Sequence, residues 1–182
     1  MFIREMKYDN DEIVLIYSDF NDMNKFDAGK IVRIFEKEVL LAHYLPNGNY
    51  DGFKVIAIEN IVKIEMNSLY SNKIKLLAQY HNTKHETINR FEKNGFLTLL
   101  RYAKEFGKVV SVEMMDSGRN DIIGFVNRFD EKNCLFDQVD DYGNVDGQAI
   151  IDVSDISYLA CDGDDENTIQ IMNKLKKQEG KN

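Results

Sequence analysis

Cysteine, proline and histidine are scarce in this chain: two, one and three among 182 residues. Two cysteines do not make a disulfide framework, which belongs to short, secreted, cysteine-dense chains. Cys134 and Cys161 read instead as small buried hydrophobes. No apolar run approaches the roughly 20 residues needed to cross a bilayer. The start, Met1 to Asp11, is charged and lacks the apolar core of a signal peptide. These absences point to a cytoplasmic chain with no membrane partner. Positive charge is short as well: 23 Lys and Arg stand against 31 Asp and Glu, a net charge of −8. A strongly basic nucleic-acid module is disfavoured, because such binding draws most of its affinity from neutralising phosphates. An acidic chain can still carry a local basic patch. There is no phosphate-cradling glycine loop, no nucleophile elbow and no Cys–His pair, so the expectation is no enzyme and no cofactor.

What is present is self-similarity. Residues 95 positions apart match without a gap from about residue 13 to residue 77. Gly29, Gly48 and Gly52 correspond to Gly124, Gly143 and Gly147. Arg33/Arg128, Glu36/Glu131, Leu40/Leu135 and Ile61/Ile156 match too. Two copies of one structural unit are expected. Units of about 65 residues bury only about 60% of their unfolded surface and gain from packing on something else. The expected organisation is a first unit with a trailing helix over 1–80, a linker and helix over 81–106, and a second unit with a C-terminal helix over 107–182.

Each copy reads as five short strands rich in Val, Ile, Phe and Tyr. The first copy has Ile13–Tyr17, Lys30–Phe35, Val39–Leu45, Phe53–Ile58 and Ile61–Met66. The second has Val109–Met114, Ile122–Phe129, Cys134–Val139, Ala149–Val153 and Ile156–Cys161. Pro46–Gly52 and Asp140–Gly147 read as turns, with Gly and Asn supplying positive φ. Gly29 and Gly124 fall where a barrel strand can bend sharply. Helices are expected over Lys73–Tyr80, capped by Ser71 or Asn72, and over Asn167–Lys176, capped by Asp164 and Asp165. Another, with Phe96, Leu97, Leu99, Leu100, Ala103 and Phe106 on one face, ends at Gly107. The predicted fold is therefore mainly β with α: two tandem, small, five-stranded barrels joined by a helical linker.

The second copy resembles the Sm-like family, which includes the bacterial RNA chaperone Hfq. A helix enters Val109–Gly118, and Ile123–Asp130 follows with Gly124, Val126 and Asp130 at the family's first-motif spacing. In the first copy Gly29 and Ile31 fit, and Phe35 replaces the aspartate. PRC-type and SH3-like barrels give a similar pattern. The resemblance implies a bent barrel that assembles through its strand edges. The residues usual for its RNA chemistry are not visible at the matching positions. Cys134 and Val39 stand where a base-binding asparagine is usual, and Asn133 lies one place early, facing the other way. Ile58-Glu59 and Val153-Ser154 stand where Hfq has a Lys-His pair.

The candidate sites are few. Lys84, Arg90, Lys93, Arg101 and Lys104, with Phe91 and Tyr102, make the linker the most basic region. Positive charge with interleaved aromatics can hold single-stranded nucleic acid, and a solvated helix looks the same. His81 and His85 have a spacing that zinc can use, without an evident third ligand. Asp137, Asp140, Asp141 and Asp146 form an acidic loop that lacks the calcium-loop pattern. Asp162–Glu166 reads as a turn and helix cap. The leading functional expectation is a non-catalytic binding or assembly module, whose partner is a protein or a second copy. RNA binding and a small-ligand or regulatory barrel are the alternatives.

Overall fold

Short runs rich in apolar residues form ten strands in the computed structural model, which describes residues 2–5, 11–19, 22 and 24–179. Two compact units divide the chain at Gly95 and Phe96. The first holds β1 (Ile13–Tyr17), β2 (Asp27–Ile34), β3 (Glu38–Tyr44), β4 (Tyr50–Ala57) and β5 (Lys63–Met66). Helix α1 (Leu69–Tyr80) follows. The second unit holds most of α2 (Gly95–Phe106), then β6 (Val109–Met114), β7 (Ile122–Phe129), β8 (Asn133–Val139), β9 (Val145–Asp152), β10 (Ile156–Cys161) and α3 (Asp164–Glu179).

The expectation of two closed barrels joined by a helical linker is overturned. Within the first unit the strands form an open antiparallel sheet in the order β5-β1-β2-β3-β4, and within the second an open antiparallel sheet in the order β10-β6-β7-β8-β9. Closing the first unit would need β5 to bond to β4, yet β5 spends its ladder on β1. In the second unit β10 likewise bonds β6, and β9 has only β8. Alternation reports which residues are half-buried, and a barrel strand and an open-sheet strand give the same signal. The linker is also not a helix throughout: residues 83–94 carry neither helix nor strand.

Within each unit the middle hairpin is pinned to the following helix. In the first, Leu45 N–H donates to Asn49 O (2.9 Å) and Gly48 N–H to Leu45 O (2.8 Å). Gly48 has φ +84°, and a Cβ there would collide with the backbone of Leu77 and Ala78 in α1. In the second, Gly143 (φ +79°) sits in the same way on Met172 and Asn173 of α3. Asn173 Nδ2 also donates to Gly143 O at 2.8 Å. Only glycine fits both the left-handed backbone and the close approach. Gly29 and Gly124 serve a different need, since a side chain on either would run into the carbonyl of the neighbouring strand, Ala42 or Asp137. Gly52 and Gly147 take positive φ just inside β4 and β9.

Helix α1 begins earlier than the sequence predicts. Ser68, and not Ser71 or Asn72, caps it by accepting from Ser71 N–H at 3.1 Å. Leu69 and Tyr70 then become helical. Helix α3 starts at Asp164, with the Glu166 carboxylate accepting from Gly163 N–H (3.1 Å) and Ser111 Oγ–H (2.6 Å).

Candidate functional site

The basic, aromatic stretch divides between the units: Lys84, Arg90 and Lys93 lie in the first, Arg101 and Lys104 in the second. In the first unit, residues 83–95 act as a strap across the sheet. The His85 ring packs edge-on against Tyr44 (6.5 Å) and tilted against Tyr50 (6.1 Å). Ile88 is buried. The Phe91 and Phe35 rings lie 6.4 Å apart, with the Arg33 guanidinium 4.8 Å and 5.2 Å from their centroids. The strap ends at Gly95, whose backbone comes so close that a Cβ would sit 2.9 Å from Val55. Arg90 faces Glu92 at 3.5 Å. In the second unit Arg101 faces Glu105 at 3.8 Å and stands over the Phe129 ring. Lys84, Lys93 and Lys104 are exposed. Arg90 and Arg101 thus already meet carboxylates.

His81 and His85 do not form a pair. His81 is the exposed C-cap of α1, its ring beside Tyr80. His85 belongs to the aromatic packing just described, its Nδ1 2.7 Å from Glu86 O. Among the described residues no group of three or more His, Cys, Asp or Glu could hold a metal ion. The acidic loop is a self-contained turn: Asp140 accepts from Tyr142 N–H, Asn144 N–H and Asn144 Nδ2 at 2.8–2.9 Å. Those donors hold its carboxyl below the usual aspartate range, the Asn144 side chain most of all. Asp137 is lowered too, chiefly by Gln148 and then Asn127. Burial pushes the Cys134 thiol up to about 12 and raises Cys161 as well, so neither is a poised nucleophile.

Sequence reasoning missed a charged network on the first unit. Lys54 Nζ donates to Asp27 Oδ1 (2.7 Å) and His43 Nε2 (3.3 Å). An ammonium only donates, so Nε2 accepts and His43 Nδ1–H is assigned as donor to Asp51 Oδ2 at 3.0 Å. This chain of bonds ties β2, β3 and β4 together and uses each group's charge internally. Its residues look like ordinary surface positions in sequence, and only strand register brings them together. A polar concavity of about 460 Å³ on the same unit is lined by Asp11, Lys30, Tyr44, Lys75 and Gln79. Lys30 there is held by Asp11 at 3.0 Å.

The least satisfied surface belongs to β9. It ends the sheet, runs eight residues and exposes Val145 at 72% and Ile150 at 67%. Val55, which pairs with Leu40 in β4 as Ile150 pairs with Leu135 in β9, is fully buried. A cavity of about 170 Å³ opens beside Val145, lined by Phe125, Val139, Asn173 and Lys177. No protein-family model, curated protein or solved structure matches this chain. No helix among the described residues is long and apolar enough to cross a membrane.

Proposed function

We propose that the chain is a non-catalytic assembly module that associates with a second copy along β9. The observation that carries this reading is the free, eight-residue β9 edge with two large aliphatic side chains in solvent. An edge strand offers unpaired backbone donors and acceptors, and natural sheets usually protect such an edge. Adding a strand satisfies those groups. Burying Val145 and Ile150 would contribute about 1.5–3 kcal/mol each. The candidate chemistry elsewhere supports a binding role over a catalytic one, because its carboxylates and cations face each other and its thiols are buried.

Sedimentation velocity across the micromolar range tests the proposal. The expected result is concentration-dependent association that Val145→Lys abolishes, with the far-ultraviolet circular dichroism of the folded chain unchanged. A sharp monomer boundary at every concentration would discard the reading.

A further inference from the structure

The two units carry the same cross-strand row on one sheet face. In the first, Arg33 pairs with Leu40 and Leu40 with Val55. In the second, Arg128 pairs with Leu135 and Leu135 with Ile150. Directly opposed residues share a face, so each row presents a guanidinium, a leucine and a β-branched aliphatic side by side. The chain's own strap lies along the first row, in which Leu40 and Val55 are fully buried and Arg33 stays exposed beside Phe91. Phe91 lies on Arg33, and the Gly95 backbone closes on Val55 and Phe35. The second row is bare. Arg128 is exposed, Leu135 is half-buried and Ile150 stands in solvent. Among the described residues no ring lies over Arg128.

We infer that the row Arg128–Leu135–Ile150 is a docking seat for an extended peptide segment with an aromatic residue followed four positions later by glycine. Positive flanking charge belongs to the same segment. The first unit supplies the pattern: Phe91 and Gly95 are four apart, and an aromatic face on an arginine is a favourable cation–π contact. Glycine lets backbone approach the aliphatic without a side chain in the way. The surroundings supply the charge. Asp130 and Glu131 at the β7–β8 turn and Asp146 and Asp152 on β9 outnumber Arg128 and Lys132. Asp130 accepts from the amides of Asn133 (2.8 Å) and Lys132 (2.7 Å), which keeps its carboxyl low and charged. This seat shares Ile150 with the β9 edge, but it lies on the face of the sheet and needs no strand pairing at that edge.

The test is a synthetic peptide with the sequence of residues 84–95, titrated into the intact chain and followed by anisotropy and amide chemical shifts. The expected result is saturable binding that moves the resonances of Arg128, Leu135 and Ile150 and leaves Leu40 and Val55 in place. Replacing the peptide's phenylalanine by alanine, or Arg128→Ala in the protein, should weaken binding about five- to thirty-fold. Arg128→Lys keeps the charge without the flat guanidinium and should fall between. Val145→Lys should leave peptide binding intact, which separates this seat from the assembly edge. The inference is overturned if binding does not saturate, if shifts appear only in the first unit, or if Arg128→Ala binds as well as the parent.

Discussion

A single methyl group is enough to disturb either hairpin. Gly48 and Gly143 combine positive φ with backbone contact to a helix, so alanine meets both a strained dihedral and a collision. Gly48→Ala and Gly143→Ala should each cost at least about 2 kcal/mol in urea unfolding. Equal stability of Gly143→Ala and the parent would mean that the hairpin does not rest on α3 as described. Glu38 presents the opposite case, a group whose removal helps. Burial pushes its carboxyl up, against the pull of the Gly95 and Lys37 amides. A carboxyl raised on folding favours the protonated native state. Its stabilising effect is full below the ordinary glutamate range and is lost as pH rises through the raised value. Glu38→Gln should therefore raise the urea midpoint at neutral pH, and the advantage should vanish near pH 4, about where free glutamate titrates. Asp140 and Asp137 have the reverse sign: their lowered carboxyls stabilise above the usual aspartate range and cease to do so as the solution is acidified.

At the scale of elements, α1 shows how a cap fixes a boundary. Apolar spacing predicts its later turns, where Ile74 and Ala78 face the core. The first turn depends on Ser68, because it alone satisfies the Ser71 amide from outside the helix. Ser68→Ala should lower stability by about 1 kcal/mol, while Ser71→Ala removes only a buried hydroxyl bonded back to Ser68 O. A chemical-unfolding comparison that ranked Ser71→Ala as the costlier change would reverse this assignment. The strap is the element least visible in sequence. His85, Ile88 and Phe91 are spaced by three, which suits one face of a helix, yet residues 83–94 carry neither helix nor strand. Arg90 and Phe91 invite a nucleic-acid reading, yet Phe91 is committed to Arg33 and Arg90 to Glu92.

For the whole molecule, both cysteines belong to the second unit, and both are buried. Thiol chemistry therefore reports on that unit alone. At mildly alkaline pH a thiol reagent should label Cys134 and Cys161 together, at the rate at which the second unit opens and not at the rate of a free thiolate. Fast labelling of one cysteine in native buffer would contradict the burial that raises both thiols. The open sheet also changes what the molecule offers to others. A closed barrel has no edges, whereas β5 ends the first unit's sheet and β9 ends the second's. Of these, β5 is four residues long with Lys63 bonded to Glu65, and β9 is twice as long and apolar at Val145 and Ile150.

Most strand segments were legible from the chain because short runs rich in Val, Ile, Phe and Tyr between turn residues form strands whatever sheet they join. Ile13–Tyr17 and Ile122–Phe129 are strands with the bounds that their apolar runs predict. The turns were legible because few residues other than glycine and asparagine accept their dihedrals. How the ladders are shared, whether the sheet closes, and which aliphatic row is covered were left to tertiary structure. Those outcomes depend on hydrogen bonds and contacts between residues far apart in sequence, such as Lys54 with Asp27 or Phe91 with Arg33, and no local pattern of residue types encodes them.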